Sequence, residues 1–119
     1  MSFNLGIFAN YKGVTTEDIK KAYTDTSAKW TSTKQYENFC QALFKNYPRL
    51  ENCTEEQLDS SPWAHTELCE GYMVLGFVSN KEKSDKGFNY VLRSAQGFGL
   101  IILDPQGSQV CIRRKWKSL

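Results

Sequence analysis

The sequence predicts an α+β fold: one domain over residues 1–119, in which a mixed β-sheet ends in a C-terminal hairpin and carries one layer of helices. Three observations lead there. Strand-length apolar runs occur at Phe3–Ala9, Tyr72–Val78 and Leu100–Leu103; segments with a 3.6-residue apolar period separate them; and the turn sequence Asp104-Pro105-Gln106-Gly107 joins the last run to Val110–Ile112. The expected order is β-α-α-β-α-β-β, with a short extra helix after the second. At 119 residues, 40% hydrophobic and 24% charged, the chain has the size and balance of one ordinary globular domain, which argues against disorder and coiled coil.

The elements follow in order. In the first strand Phe3, Leu5, Ile7 and Ala9 share a face. Thr15 or Thr16 caps a first helix whose stripe is Ile19, Ala22 and Tyr23, with Glu17 and Asp18 suiting the dipole of its first turn. The polar stretch from Asp25 to Thr33 is expected to be a loop. Ser32 or Thr33 caps a second helix in which Tyr36, Phe39, Cys40, Leu43, Phe44 and Tyr47 recur at helical spacing until Pro48 stops it. Thr54 and Gln57 are spaced as a capping box for a short helix that Ser60-Ser61-Pro62 ends. The nearly continuous apolar run Tyr72–Val78 suits a central strand covered on both faces. Ser84 or Asp85 is the expected cap of a third long helix, with Phe88, Val91, Leu92 and Ala95 on its inner face. Leu100–Leu103 is a second buried strand, and Asp104-Pro105-Gln106-Gly107 places Pro and Gly at the second and fourth positions of a tight turn.

Charge is unevenly distributed along the chain. The net charge is +2, yet residues 50–70 hold six acids (Glu51, Glu55, Glu56, Asp59, Glu67, Glu70) and no base, and residues 105–119 hold four bases and no acid. Such asymmetry bears on partners and association rates. No apolar run approaches the ~18 residues of a membrane span. The start Met1-Ser2-Phe3-Asn4 lacks a basic, apolar leader, so the cytoplasm is the expected location.

Motifs for chemistry are sparse. Cys40, Cys53, Cys69 and Cys111 have no pair at zinc-knuckle or redox-dithiol spacing, and they are expected as reduced thiols with no metal or other cofactor. The sequon Asn52-Cys53-Thr54 has no meaning without secretion. The one histidine, His65, stands beside a helix stop with no Gly-x-Ser-x-Gly elbow, and no lysine-bearing phosphate loop occurs. Gly97-Phe98-Gly99 follows a helix, whereas a dinucleotide fingerprint follows a strand. The chain is therefore expected not to be an enzyme. The tail Arg113-Arg114-Lys115-Trp116-Lys117 mixes bases with an aromatic as single-strand binders do, which makes a nucleic-acid-binding tail the alternative reading.

Several of these segments together resemble a known group. They are the opening Phe3-Asn4-Leu5-Gly6-Ile7-Phe8, the helix end Tyr47-Pro48, the triplet Pro62-Trp63-Ala64, the strand Tyr72–Val78 followed by Ser79-Asn80, and the close Gly99-Leu100-Ile101-Ile102-Leu103-Asp104-Pro105-Gln106. In this order the chain resembles small bacterial immunity proteins of polymorphic toxin systems, including those of contact-dependent growth inhibition. Asn4 stands where that group has an acid and Phe8 where it has Trp, so no role for the acid is carried over.

The resemblance implies a protein that binds a cognate toxin domain, of the nuclease type, and occludes it. The expected contact region is the acidic segment, with Glu51, Glu55, Glu56 and Asp59 as its charged members and Trp63 as an exposed aromatic anchor. The alternative for Trp63 is a buried staple beneath a solvated helix.

Overall fold

The computed structural model describes residues 3–25 and 30–119; the middle of the expected loop between the first two helices lies outside them. Among the described residues six strands form one sheet: β1 (Phe3–Phe8), β2 (Trp63–Cys69), β3 (Tyr72–Phe77), β4 (Ile101–Asp104), β5 (Gln109–Ile112) and β6 (Lys115–Ser118). Their order across the sheet is β2-β3-β1-β4-β5-β6. The helices are α1 (Thr16–Thr24), α2 (Lys34–Asn46), the short α3 (Glu55–Ser60) and α4 (Lys81–Gly97), with a single 3-10 turn at Leu50–Asn52. The class is α+β, as the pattern predicts.

The sheet differs from expectation in being antiparallel at every pairing rather than mixed. The cause is β2, which occupies a stretch expected to lie between elements. It forms a hairpin with β3, so the chain reverses before entering the centre of the sheet. The strands β3 and β4 run the same way, but β1 lies between them. The expected basic tail is likewise a strand, β6, paired along its length with β5.

Helices cover both faces, where one layer is expected. Residues directly opposite each other on neighbouring strands share a face. Leu5, Ile7, Met73, Leu75 and Phe77 therefore lie together, and Trp63, Phe88 and α2's Phe44 join them through ring contacts: Trp63–Phe77 at 5.2 Å, Phe77–Phe88 at 5.4 Å and Phe44–Trp63 at 6.4 Å. On the other face Phe8 stacks on Tyr72 with ring centroids 5.2 Å apart and planes 5° from parallel, and Trp30 closes on Phe8 at 5.1 Å. Tyr23 of α1 reaches Gly6 on this same face. Ile19 and Ala22, the buried residues of α1, point inward beside it. The central strand β3 is buried at every position, as its unbroken apolar run requires.

Capping follows the sequence except at one helix. Thr15 caps α1 and forms a capping box with Asp18; Thr33 caps α2; Thr54 and Gln57 form the box of α3. For α4 the cap is Asn80, whose Oδ1 accepts from Lys83 N at 3.2 Å, not Ser84 or Asp85. The helix starts a turn earlier because Asn80 directly follows the strand and turn that release it, and Ser84 is buried within the helix.

Candidate partner-binding site

Three of the four acids of the sequence-derived site, Glu55, Glu56 and Asp59, lie on one short helix, α3. Thr54 Oγ1 accepts from Gln57 N at 3.3 Å and Gln57 Oε1 accepts from Thr54 N at 2.9 Å, so both ends of the box are closed. The box sets Glu55 and Glu56 in the first turn, where the helix dipole favours them. No residue of α3 is buried, and Glu55, Glu56 and Asp59 are all exposed. Between them Leu58 is 46% exposed, an apolar residue on an acidic helix. Sequence reasoning missed Leu58 as a surface feature; its one signal is that α3 is too short to offer a continuous apolar stripe for burial.

Glu51 is tied elsewhere. Its Oε1 lies 2.7 Å from Arg49 Nε, which also donates to Thr66 Oγ1 at 3.1 Å, linking the 3-10 turn to β2. Both members are partly solvated, so the pair positions the segment more than it stabilises it.

Trp63 is not an exposed anchor. It is 2% exposed, its Nε1 donates to Tyr47 O at 2.9 Å, and Phe44, Tyr47 and Phe77 surround the ring. The cause is register: Trp63 opens β2 opposite Phe77 and so points to the face that α2 and α4 cover. It is the staple beneath the acidic helix. The remaining acids also separate from α3, since Glu67 lies on β2 and Glu70 in the β2–β3 turn.

Beside α3 runs a groove of about 840 Å³ between the end of α2 and the start of α4. Tyr47, Pro48 and Pro62 give it an apolar floor, and Asp59, Glu82 and Lys86 are on its rim. Its α4 wall comes close because Gly87 has no side chain: a methyl there would stand 2.7 Å from Pro62 Cβ and Cγ.

His65 has a structural position. Its imidazole lies across Gly76, directly opposite it in the β2–β3 ladder, in the space a larger residue at Gly76 would fill. Among the thiols, burial pushes Cys40 up, against a hydrogen bond from Tyr36 that lowers it, so Cys40 is held as the protonated, poorly nucleophilic form. Burial raises Tyr36 as well, with Cys40 and Cys69 adding to the shift, and burial raises Tyr72 beside Cys69. Tyr36 and Cys40 belong to α2, Cys69 and Tyr72 pair at the end of the β2–β3 ladder, and none of them lies on α3. Among the described residues no helix is long and apolar enough to cross a membrane, and no three potential ligands gather around a metal position.

The runner-up site is the β5–β6 hairpin. Arg113 and Arg114 form its two-residue turn with φ of 54° and 64°, the left-handed pair of a type I′ turn, which ordinarily takes Asn-Gly. Trp116 is 41% exposed on β6 between Lys115 and Lys117. Comparison with family models, with curated proteins and with solved structures finds no match for this chain.

Proposed function

We propose that this chain is a binding protein that acts without catalysis, docking a basic partner on the acidic surface of α3. Following the sequence resemblance, the partner is a bacterial toxin domain of the nuclease type, which the chain neutralises by occlusion in the cytoplasm. The observation that carries the reading is the placement of Glu55, Glu56 and Asp59, all exposed around an exposed Leu58 on a helix fixed at both ends. A charge array of one sign steers a basic cleft toward it, and an apolar residue at its centre supplies contact area once the partner has docked. Trp63 supports this surface from below by holding the Ser61-Pro62 bend that ends α3; Trp63 N bonds Ser61 Oγ at 3.2 Å.

The direct test is neutralisation in cells. Co-production with a cognate toxin domain should restore growth, and Glu55→Gln, Glu56→Gln and Asp59→Asn together should abolish the rescue while leaving the protein folded. His65→Ala should still protect, because His65 has no part in the mechanism.

A second reading places single-stranded nucleic acid on the β5–β6 hairpin, where the strained Arg113-Arg114 turn and exposed Trp116 supply cations and a stacking surface. Salt-dependent binding of a labelled oligonucleotide, lost on Trp116→Ala, would favour it over the first.

A further inference from the structure

The two edges of the sheet complement each other. Following the pairing register across the strands, Glu67 stands opposite Val74, Val74 opposite Gly6, Gly6 opposite Leu103, Leu103 opposite Val110, and Val110 opposite Lys117. This single row begins with an acid on edge strand β2 and ends with a base on edge strand β6, both on the same face. The adjacent row starts at Leu68 and passes through Met73, Ile7, Ile102 and Cys111 to Trp116, on the opposite face. Leu68 and Trp116 are 42% and 41% exposed, two of the few large apolar side chains left in solvent.

We infer that β6 of one copy adds to β2 of a second copy, antiparallel, extending the sheet head to tail with Lys117 beside Glu67 and Trp116 beside Leu68. Three features of the sheet fit this occupant. Six strands that alternate in direction leave β2 and β6 running oppositely, so a copy displaced along the sheet presents β2 antiparallel to β6 with its faces in the same sense.

The backbone is also in phase. Leu119 N donates to Ser108 O, so alternate residues of β6 turn toward β5 and the N–H and C=O groups of Trp116 and Ser118 turn outward. Ala9 N donates to Gly71 O, which sets the phase of the β1–β3 ladder; through it Glu67 faces β3, and Thr66 and Leu68 face outward on β2. The register that joins Glu67 to Lys117 aligns these outward groups, Leu68 with Trp116 and Thr66 with Ser118.

Charge selects this pairing over a two-fold one. Two β6 edges together crowd lysines, and two β2 edges bring their acids together, so like charges guard each edge against its own kind while each accepts the other. A four-residue strand buries little, below the roughly 1,000 Å² of a stable interface, so the association is weak and concentration-dependent.

Sedimentation velocity at low salt, from about 10 μM to about 1 mM, tests this, a range set by the weakness of so small a contact. The expected result is a weight-average mass that rises above the 13.7 kDa monomer with concentration and falls back at high salt. Glu67→Lys alone, and Lys115→Glu with Lys117→Glu, should each remain monomeric, and mixing the two variants should restore association. Exchange of the Leu68 and Trp116 amide protons in the wild type should slow at high concentration. A single monomeric mass throughout, or association that survives either charge reversal, would overturn the inference. Glu67, Leu68, Lys115, Trp116 and Lys117, the residues of this contact, all lie outside α3, so this result and the neutralisation test stand or fall separately.

Discussion

The side chain of Gln106 takes the place of a strand beside the backbone of Asn4: with its amide assigned so that donor meets acceptor, its Nε2 donates to Asn4 O at 2.9 Å and its Oε1 accepts from Asn4 N at 3.0 Å. Along the β1–β4 ladder the next residue opposite Asn4 would be Pro105, which has no N–H to give. The amide of the following residue supplies both bonds, and Asp104 Oδ1 accepts Gly107 N at 3.1 Å to hold the turn that aims it. Gln106→Ala should therefore lower stability by about 0.5–1.5 kcal/mol and speed exchange of the Asn4 amide proton, with distant amides unaffected. Unchanged Asn4 exchange would mean that Gln106 makes no such pair.

His65 and Gly76 should be energetically coupled. Gly76→Ala puts a methyl into the imidazole and should destabilise by about 1–2 kcal/mol, whereas the same change in a His65→Ala background should be neutral or stabilising, because Ala in a strand restricts the unfolded chain. A double-mutant cycle read by urea denaturation gives the sign directly. Additive effects would contradict the geometry.

Alkaline pH should weaken the fold through Tyr36. Burial raises its phenol above the ordinary tyrosine value of about 10, so the folded chain holds the proton more tightly than the unfolded chain does. Its contribution is fully present below pH ~10 and is lost as pH rises above that value. The denaturation midpoint of the wild type should drop between pH 9 and pH 11, about one unit on either side of the tyrosine value, and Tyr36→Phe should flatten the drop.

The turn Arg113-Arg114 holds two non-glycine residues in the left-handed region, at about 1 kcal/mol or more each. Replacing the pair by Asn-Gly should raise the melting temperature, since that dipeptide suits a type I′ turn. A lower melting temperature would show that the arginines are held by contacts worth more than their strain, of which Arg114 Nε to Gln96 O at 3.4 Å is one.

The central fold was legible wherever burial writes a period into the sequence. The runs Leu5–Phe8, Tyr72–Phe77 and Ile101–Leu103 are strands because both faces of each are covered, and α2 ends before Pro48, as its sequence predicts. The edges were not legible. In β2, His65, Glu67 and Leu68 are all exposed, and β6 is exposed throughout, so neither strand carries an apolar alternation. Pairing to one neighbour, not burial, makes them strands. The position of α1 on the second face was also hidden, because an amphipathic stripe says that a face is buried without saying against which side of a sheet. At the candidate site, the capped acidic helix was visible from Thr54, Glu55, Glu56 and Gln57, whereas Trp63 was not, because its orientation depends on the register of a strand with no sequence signal.

The most direct test of the acidic-surface account is the association rate with a cognate toxin domain of the proposed nuclease type at two ionic strengths, for the wild type and for Glu55→Gln/Glu56→Gln/Asp59→Asn. Charge at a docking surface acts chiefly on the encounter rate and is screened by salt over about 10 Å at 0.1 M. The account predicts a wild-type rate that falls steeply with added salt, and a variant about tenfold slower at low salt with a much shallower dependence, because the steering charges are gone. Equal low-salt rates and equal salt dependence in the two proteins would contradict it and move the interface off α3.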